Sequence, residues 1–176
     1  MIKYINCDKK NYLTVLNNLL FNKHKVDQKI LKVVEKIIRD LKKNGDKALI
    51  KYEKKFSKNS TIKPNKKAIN KSILLLDPKI KKAIDFSYNR ILKFHSNQKV
   101  KNINYKDYLK NIINYKFVPL DSVGIYVPGG NASFPSTLLM NAIPAIISGV
   151  KRIVLVNPTK DGKQSPGVLY AAKKCG

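Results

Sequence analysis

A short strand pattern cut off by a Pro-Gly-Gly turn, and followed at once by an apolar helix, constrains this chain more than anything else in it. Val123, Gly124, Ile125, Tyr126 and Val127 form an apolar run rich in β-branched and aromatic residues, which reads as a buried strand. Pro128, Gly129 and Gly130 stop it. Ser136 then opens a helix carrying Leu138, Leu139, Ala142, Ile143, Ile146 and Ile147, with Gly149 where a helix would end. Strand, glycine turn and helix in that order bring bare backbone N–H groups up to a ligand.

The pattern continues as alternating α/β. Ile153, Val154, Leu155 and Val156 make a fully apolar run suited to a parallel strand covered on both faces. Asp161 and Gly162 turn, and Ser165 followed by Pro166 starts a last helix through Leu169 and Ala172. A right-handed crossover lays the two strands side by side, with residues 126–130 and 157–158 on one edge of the sheet. Ligands of open α/β sheets bind along that edge. Two parallel strands do not complete a sheet, so either more polypeptide or a partner chain is expected to complete it, or the α/β half is poorly folded.

Upstream, residues 1–117 read as helical. Tyr12, Leu16, Leu19 and Leu20 share a face within residues 8–20. Asp27 can cap a helix bearing Ile30, Leu31, Val33, Val34, Ile37, Ile38 and Leu41, which Asn44 and Gly45 end. Asp46 can cap the next, with Leu49, Tyr52 and Phe56 inside, and all these faces are expected to be core. A weaker helix covers residues 66–76. Asp77 followed by Pro78, an N-cap and a proline at the first helical position, starts a strong one to about His95. Residues 99–116 fit a β-hairpin or an extended loop equally well.

These residues also carry a resemblance. GIYVPGG at 124–130, Ser-Thr-Leu-Leu-Met at 136–140 and Ile-Pro-Ala at 143–145, with IIRDLKKNGDKALIKYEKKF at 37–56 and AIDFSYNRILKFHSNQ at 83–98, resemble the N-terminal half of histidinol dehydrogenases. Asn157, Pro158 and Thr159 stand where that family tends to have two prolines, and residues 101–116 are unusually basic. The resemblance implies an enzyme that oxidises L-histidinol to L-histidinaldehyde and then to L-histidine, reducing two NAD+ as the last step of histidine biosynthesis. It implies a homodimer, and a fold in which a helical region, residues 1–117, precedes the opening β-α-β-α of a Rossmann-like, aldehyde-dehydrogenase-like NAD-binding domain, residues 118–176, incomplete at its C-terminus.

For the site, the resemblance places Tyr126 against the dinucleotide and Pro128 beside it. Gly129 and Gly130 are either turn glycines or the point where the cofactor comes close. Ser136 is first a helix N-cap and second a polar contact to a ligand. The resemblance also implies a zinc ion holding the substrate's imidazole and amine, and a Glu-His pair that moves protons. All of these fall in the family beyond the part matched here, so no catalytic residue and no metal ligand is expected in this chain. At 176 residues it is expected to be an N-terminal portion, inactive alone.

The residues agree with that expectation. The turn lacks the Gly-Lys-Ser/Thr of a P-loop and the G-x-G-x-x-G of a dinucleotide fingerprint. His24 sits in a connection and His95 at a helix end, neither with partners at metal-ligand spacing, and Asp46 and Glu53 have no paired carboxylate. Cys7 and Cys175 suggest neither a disulfide framework nor a Cys-x-x-Cys site. With no run of about 20 apolar residues and no signal-peptide core, the expected setting is the cytoplasm, without a membrane partner.

The net charge of +25 invites a different function, a lysine-rich module holding nucleic acid. Its details argue against that. Arg39, Arg90 and Arg152 are the only arginines, whereas reading of bases and phosphates favours arginine, and the lysines are scattered through every segment. A coding bias toward lysine, isoleucine and asparagine explains them more simply. The alternatives, a nucleic-acid module using Tyr105, Tyr108 and Tyr115 or a relic without a role, are therefore secondary.

Overall fold

The apolar periodicities above become six α-helices and four strands among the described residues, which in this computed structural model are 4–23, 27–59, 61–130, 132–159 and 161–176. His24 and Asn131 lie outside them. The chain falls into two compact units, Met1–Leu49 and Ile50–Gly176.

The first unit holds α1 (Tyr12–Lys23) and most of α2 (Gln28–Ser57). The expected break at Gly45 falls inside α2, where φ 53° and ψ −132° interrupt the helix in a conformation that favours glycine. The stripes of both helices run at helical spacing, yet the expectation that they are core does not hold. Leu16, Leu20, Ile30, Val33 and Ile38 are exposed, because helical spacing fixes which residues share a face and not whether that face is covered.

The second unit carries the rest. Asn65 caps α3 (Lys66–Leu74), its side chain accepting from the Ala68 N–H at 2.8 Å. Asp77 caps α4 (Pro78–Ser96) in the same way from Lys79, with Pro78 in the first turn as expected. Residues 99–116 resolve to an antiparallel hairpin, β1 (Ile103–Lys106) on β2 (Ile112–Tyr115), whose side chains are all exposed. Then β3 (Ser122–Tyr126), α5 (Pro135–Ile147), β4 (Arg152–Val156) and α6 (Pro166–Lys174) follow, with β3 and β4 parallel and Tyr126 opposite Val156.

The core of this unit lies on one face of that two-stranded sheet. Ile125 and Val127 from β3 and its end pack with Leu138, Leu139, Ala142 and Ile143 of α5, Val168 and Ala171 of α6, and Ile84 of α4. Side chains alternate along a strand, so Gly124, Tyr126, Val154 and Val156 share the other face, where Tyr126, Val154 and Val156 are exposed. The expectation that β4 is covered on both faces is met on one only.

A polar clasp joins α4 to α6. Asp85 accepts hydrogen bonds from the Tyr170 hydroxyl at 3.0 Å and from Lys174 Nζ at 3.0 Å. The Lys174 hydrogen bond, with help from Tyr170, holds the Asp85 carboxyl below the usual carboxylate range, and the same bond raises Lys174. Asp85 therefore stabilises the fold above its unfolded pKa of roughly 3.9, and this contribution fades as pH falls through its lower folded value. Lys174 contributes below its unfolded pKa of roughly 10.4 and loses that above it. Both groups are about a third exposed, so the effect is modest. Thermal melts from pH 7 down to pH 2 should show the native protein losing more stability on acidification than Asp85→Asn, and parallel curves would show that the clasp is idle.

No helix among the described residues is long and apolar enough to cross a membrane.

Candidate functional site

The C-terminal ends of β3 and β4 meet at one edge, and the site is built there. Tyr126, the last residue of β3, is 63% exposed because alternation turns it away from the helices that bury Ile125 and Val127. Beyond it the two strand ends stay joined. The Val127 N–H donates to the Val156 carbonyl at 2.9 Å, and the Asn157 side-chain amide donates to the carbonyls of Val127 at 3.0 Å and Pro128 at 3.3 Å.

The two glycines of the turn serve different ends. A Cβ built on Gly129 would collide with the carbonyl oxygen of Pro158 and lie 2.9 Å from its Cβ, so the bareness of this residue is used by the segment that leaves the neighbouring strand. Gly130 has φ 116° and no atom within 4 Å of a Cβ position, so its conformation demands glycine and its surroundings are open.

A cavity of about 430 Å³ opens between this turn and the start of α6, lined by Pro128, Gly129, Gly130, Ser133, Asn157 and Ser165 among others. Ser133 and Ser165 share a hydrogen bond of 2.6 Å across it, which ties the loop before α5 to the N-cap residue of α6. Lys163 also lines it, and the carboxylate of Asp161 on the rim is engaged by Lys58 at 3.3 Å. With a helix N-terminus and a lysine on its wall, the cavity suits a group bearing negative charge.

Of the residues singled out in the sequence, Pro128, Gly129 and Gly130 line this cavity, while Tyr126 and Ser136 do not. The expectation that Ser136 caps α5 is corrected. Phe134 occupies the N-cap position without a side-chain cap bond, Pro135 fills the first helical position, and Ser136 is the exposed residue after it. Proline's fixed φ starts this helix in place of a capping hydroxyl. Sequence reasoning gave no role to Asn157, which it placed only as part of the edge, and it missed Ser133 and Ser165. Only the Asn-Pro pair at the end of an apolar strand hinted at the first, and the serine pair is 32 residues apart in sequence.

Elsewhere, His95 Nδ1 pairs with Gln98 Oε1 at 2.5 Å and lines a second cavity of about 520 Å³ with Phe117, Pro144 and Ile147 at the C-terminal end of α5. That is the opposite end of the helix from the turn. No group of three or more His, Cys, Asp or Glu side chains able to hold a metal occurs among the described residues.

The comparisons with known proteins agree with one another. The family model described as histidinol dehydrogenase matches residues 21–176. The chain is 59% identical over 176 residues to the histidinol dehydrogenase of Pelagibacter ubique (strain HTCC1062), covering 99% of this chain and 41% of that protein. It is 35% identical over 181 residues to the histidinol dehydrogenase of Acinetobacter baylyi, covering 100% of this chain and 42% of that protein. Among solved structures, histidinol dehydrogenase from Elizabethkingia anophelis superposes with a TM-score of 0.80 at 33% identity, covering 87% of this chain and 36% of that one. The chain thus spans about two-fifths of the length of the curated relatives it matches.

Proposed function

The chain belongs to the histidinol dehydrogenase family, and from that premise we propose that it is the N-terminal portion of an NAD-dependent, zinc-dependent enzyme oxidising L-histidinol through L-histidinaldehyde to L-histidine. The observation that carries the reading is the sheet edge: an uncovered tyrosine ring at the end of β3, a glycine turn beside it and a cavity that suits negative charge. NAD+ bound along that edge would supply the hydride acceptor. The contribution of this chain is to bind and orient the cofactor, with the Tyr126 ring as a stacking surface, Pro128 fixing the backbone that leaves it, Gly129 and Gly130 shaping the turn, and Ser136 offering a hydroxyl at the start of α5.

On this reading β3 and β4 open a Rossmann-like, aldehyde-dehydrogenase-like sheet spanning 118–176, preceded by a helical region, 1–117. The bare apolar face of β3 and β4 supports it, since parallel strands are ordinarily covered on both faces. On the same reading the zinc and the Glu-His pair are held by another part of the enzyme, which acts as a homodimer in the cytoplasm. Alone, the 176-residue chain should give no NADH from L-histidinol and NAD+, with or without added zinc. Zinc-dependent NADH formation by this chain would overturn the proposal.

One observation favours the nucleic-acid reading. Ile103, Tyr105, Ile113 and Tyr115 share one exposed face of the hairpin, with Lys106, Lys110 and Lys116 near them. Fluorescence anisotropy with a labelled generic duplex decides the matter: binding should vanish at physiological salt, and tight binding there would give the charge a function.

A further inference from the structure

We propose that Asn157 is a positioning residue for the cofactor-facing turn, its side-chain amide standing in for a backbone donor that Pro158 cannot provide. The proposal rests on the reading of this edge as the NAD+ side. In a parallel ladder each bonded residue reaches two positions on the next strand, its N–H going to one carbonyl and its C=O accepting from the N–H two residues later. Val127 makes the first of these bonds to Val156. Its carbonyl should accept from residue 158, which is proline and has no N–H.

Val127 is fully buried, and an orphaned carbonyl there would be costly. Asn157 supplies the missing donor. Its amide carries two hydrogens, and its nitrogen lies 3.0 Å from the Val127 carbonyl and 3.3 Å from the next one, Pro128. The second bond fixes more than the ladder. It sets the direction of the peptide linking Pro128 to Gly129, just where Gly129 is pressed on Pro158. The strand ends are thereby latched from both sides, by an amide at the end of β4 and a missing Cβ at the end of β3. The geometry of 126–130 follows from that latch.

The mechanism predicts a specific rescue. Asn157→Ala removes the donor, and adding Pro158→Ala restores a backbone N–H at the position the ladder needs, while keeping the carbonyl and Cβ that meet Gly129. The test uses the ¹⁵N-labelled 176-residue chain, the amide resonances of Gly129 and Gly130, and titration with NAD+. Asn157→Ala should move both glycine resonances and weaken NAD+ about tenfold, the order of one lost hydrogen bond. Asn157→Ala/Pro158→Ala should return the resonances, and the affinity to within about twofold. A general loss of stability would not be repaired by removing a proline, since that substitution itself loosens the unfolded chain. If Asn157→Ala leaves the glycine resonances in place, or the double variant fails to restore them, the latch is wrong. If the native chain shows no NAD+-dependent shift at 126–130, the cofactor reading fails instead, and the glycine resonances still decide the role of Asn157.

Discussion

Gly129→Ala is expected to destabilise this protein by about 3 kcal/mol, at the upper end of what overpacking costs. The added methyl has no room. It would meet the carbonyl oxygen of Pro158, with the Pro158 carbonyl carbon at 3.0 Å and its Cβ at 2.9 Å, so most of the obstruction is main chain and cannot rotate aside. Neither backbone is free to retreat. Val127 is held to Val156, Asn157 holds the carbonyls of Val127 and Pro128, and Val127 is fully buried in the core beneath. A loss of that size lowers the melting temperature by roughly 6–12 °C for a chain of this length. Gly130→Ala provides the contrast, because its cost is confined to a backbone at φ 116° with open space around it, on the order of 1–3 kcal/mol. Calorimetric melts of the two variants check the pair. An unchanged melting temperature for Gly129→Ala would mean that the two strand ends are not in contact in solution.

Legible in the sequence alone is whatever depends on local chemistry. Asp77 and Pro78 mark a helix start by themselves, since one supplies a side-chain acceptor and the other a preset φ, and α4 begins there. Gly45 announces a break because few other residues tolerate its conformation. The order of strand, turn, helix and strand from residue 122 onward follows from periodicity and from Pro128 and the glycines after it. The start of α5 was misplaced for an equally local reason. Ser136 looks like a cap, but the proline before it already satisfies the requirement of the first turn.

The site was less legible, because its decisive contacts join residues far apart in the chain. Nothing in Gly129 itself says that its missing side chain makes room for Pro158, and nothing in Asn157 says that it replaces a ladder donor; both depend on the register of β3 against β4. The core assignment of the N-terminal stripes failed for a related reason. Periodicity says which residues share a face of a helix, and it says nothing about what covers that face. The bare side of the β3–β4 sheet is the same case: Val154 and Val156 have the composition of buried strand residues and are exposed here.

On the proposed reading, Tyr126→Ala should weaken NAD+ binding by about 1–2 kcal/mol, roughly 5- to 30-fold, and leave L-histidinol binding nearly unchanged. The ring ends β3 on the uncovered face and is 63% exposed, so it contributes little to the core that Ile125 and Val127 enter. An aromatic surface kept out of the core at the ligand-binding edge of a parallel sheet has its apolar area available for stacking. Tyr126→Phe should cost much less, because stacking needs the ring and not the hydroxyl. The readouts are the dissociation constant of NAD+ for this chain and the KM for NAD+ in a full-length enzyme carrying this segment, where a KM change without a kcat change marks lost cofactor binding. Thermal stability separates this from a structural role. The exposed ring predicts a melting temperature within a degree or two of the native protein, on the order of 0.5 kcal/mol. A variant that melts early yet binds NAD+ normally would return Tyr126 to the fold and remove it from the site.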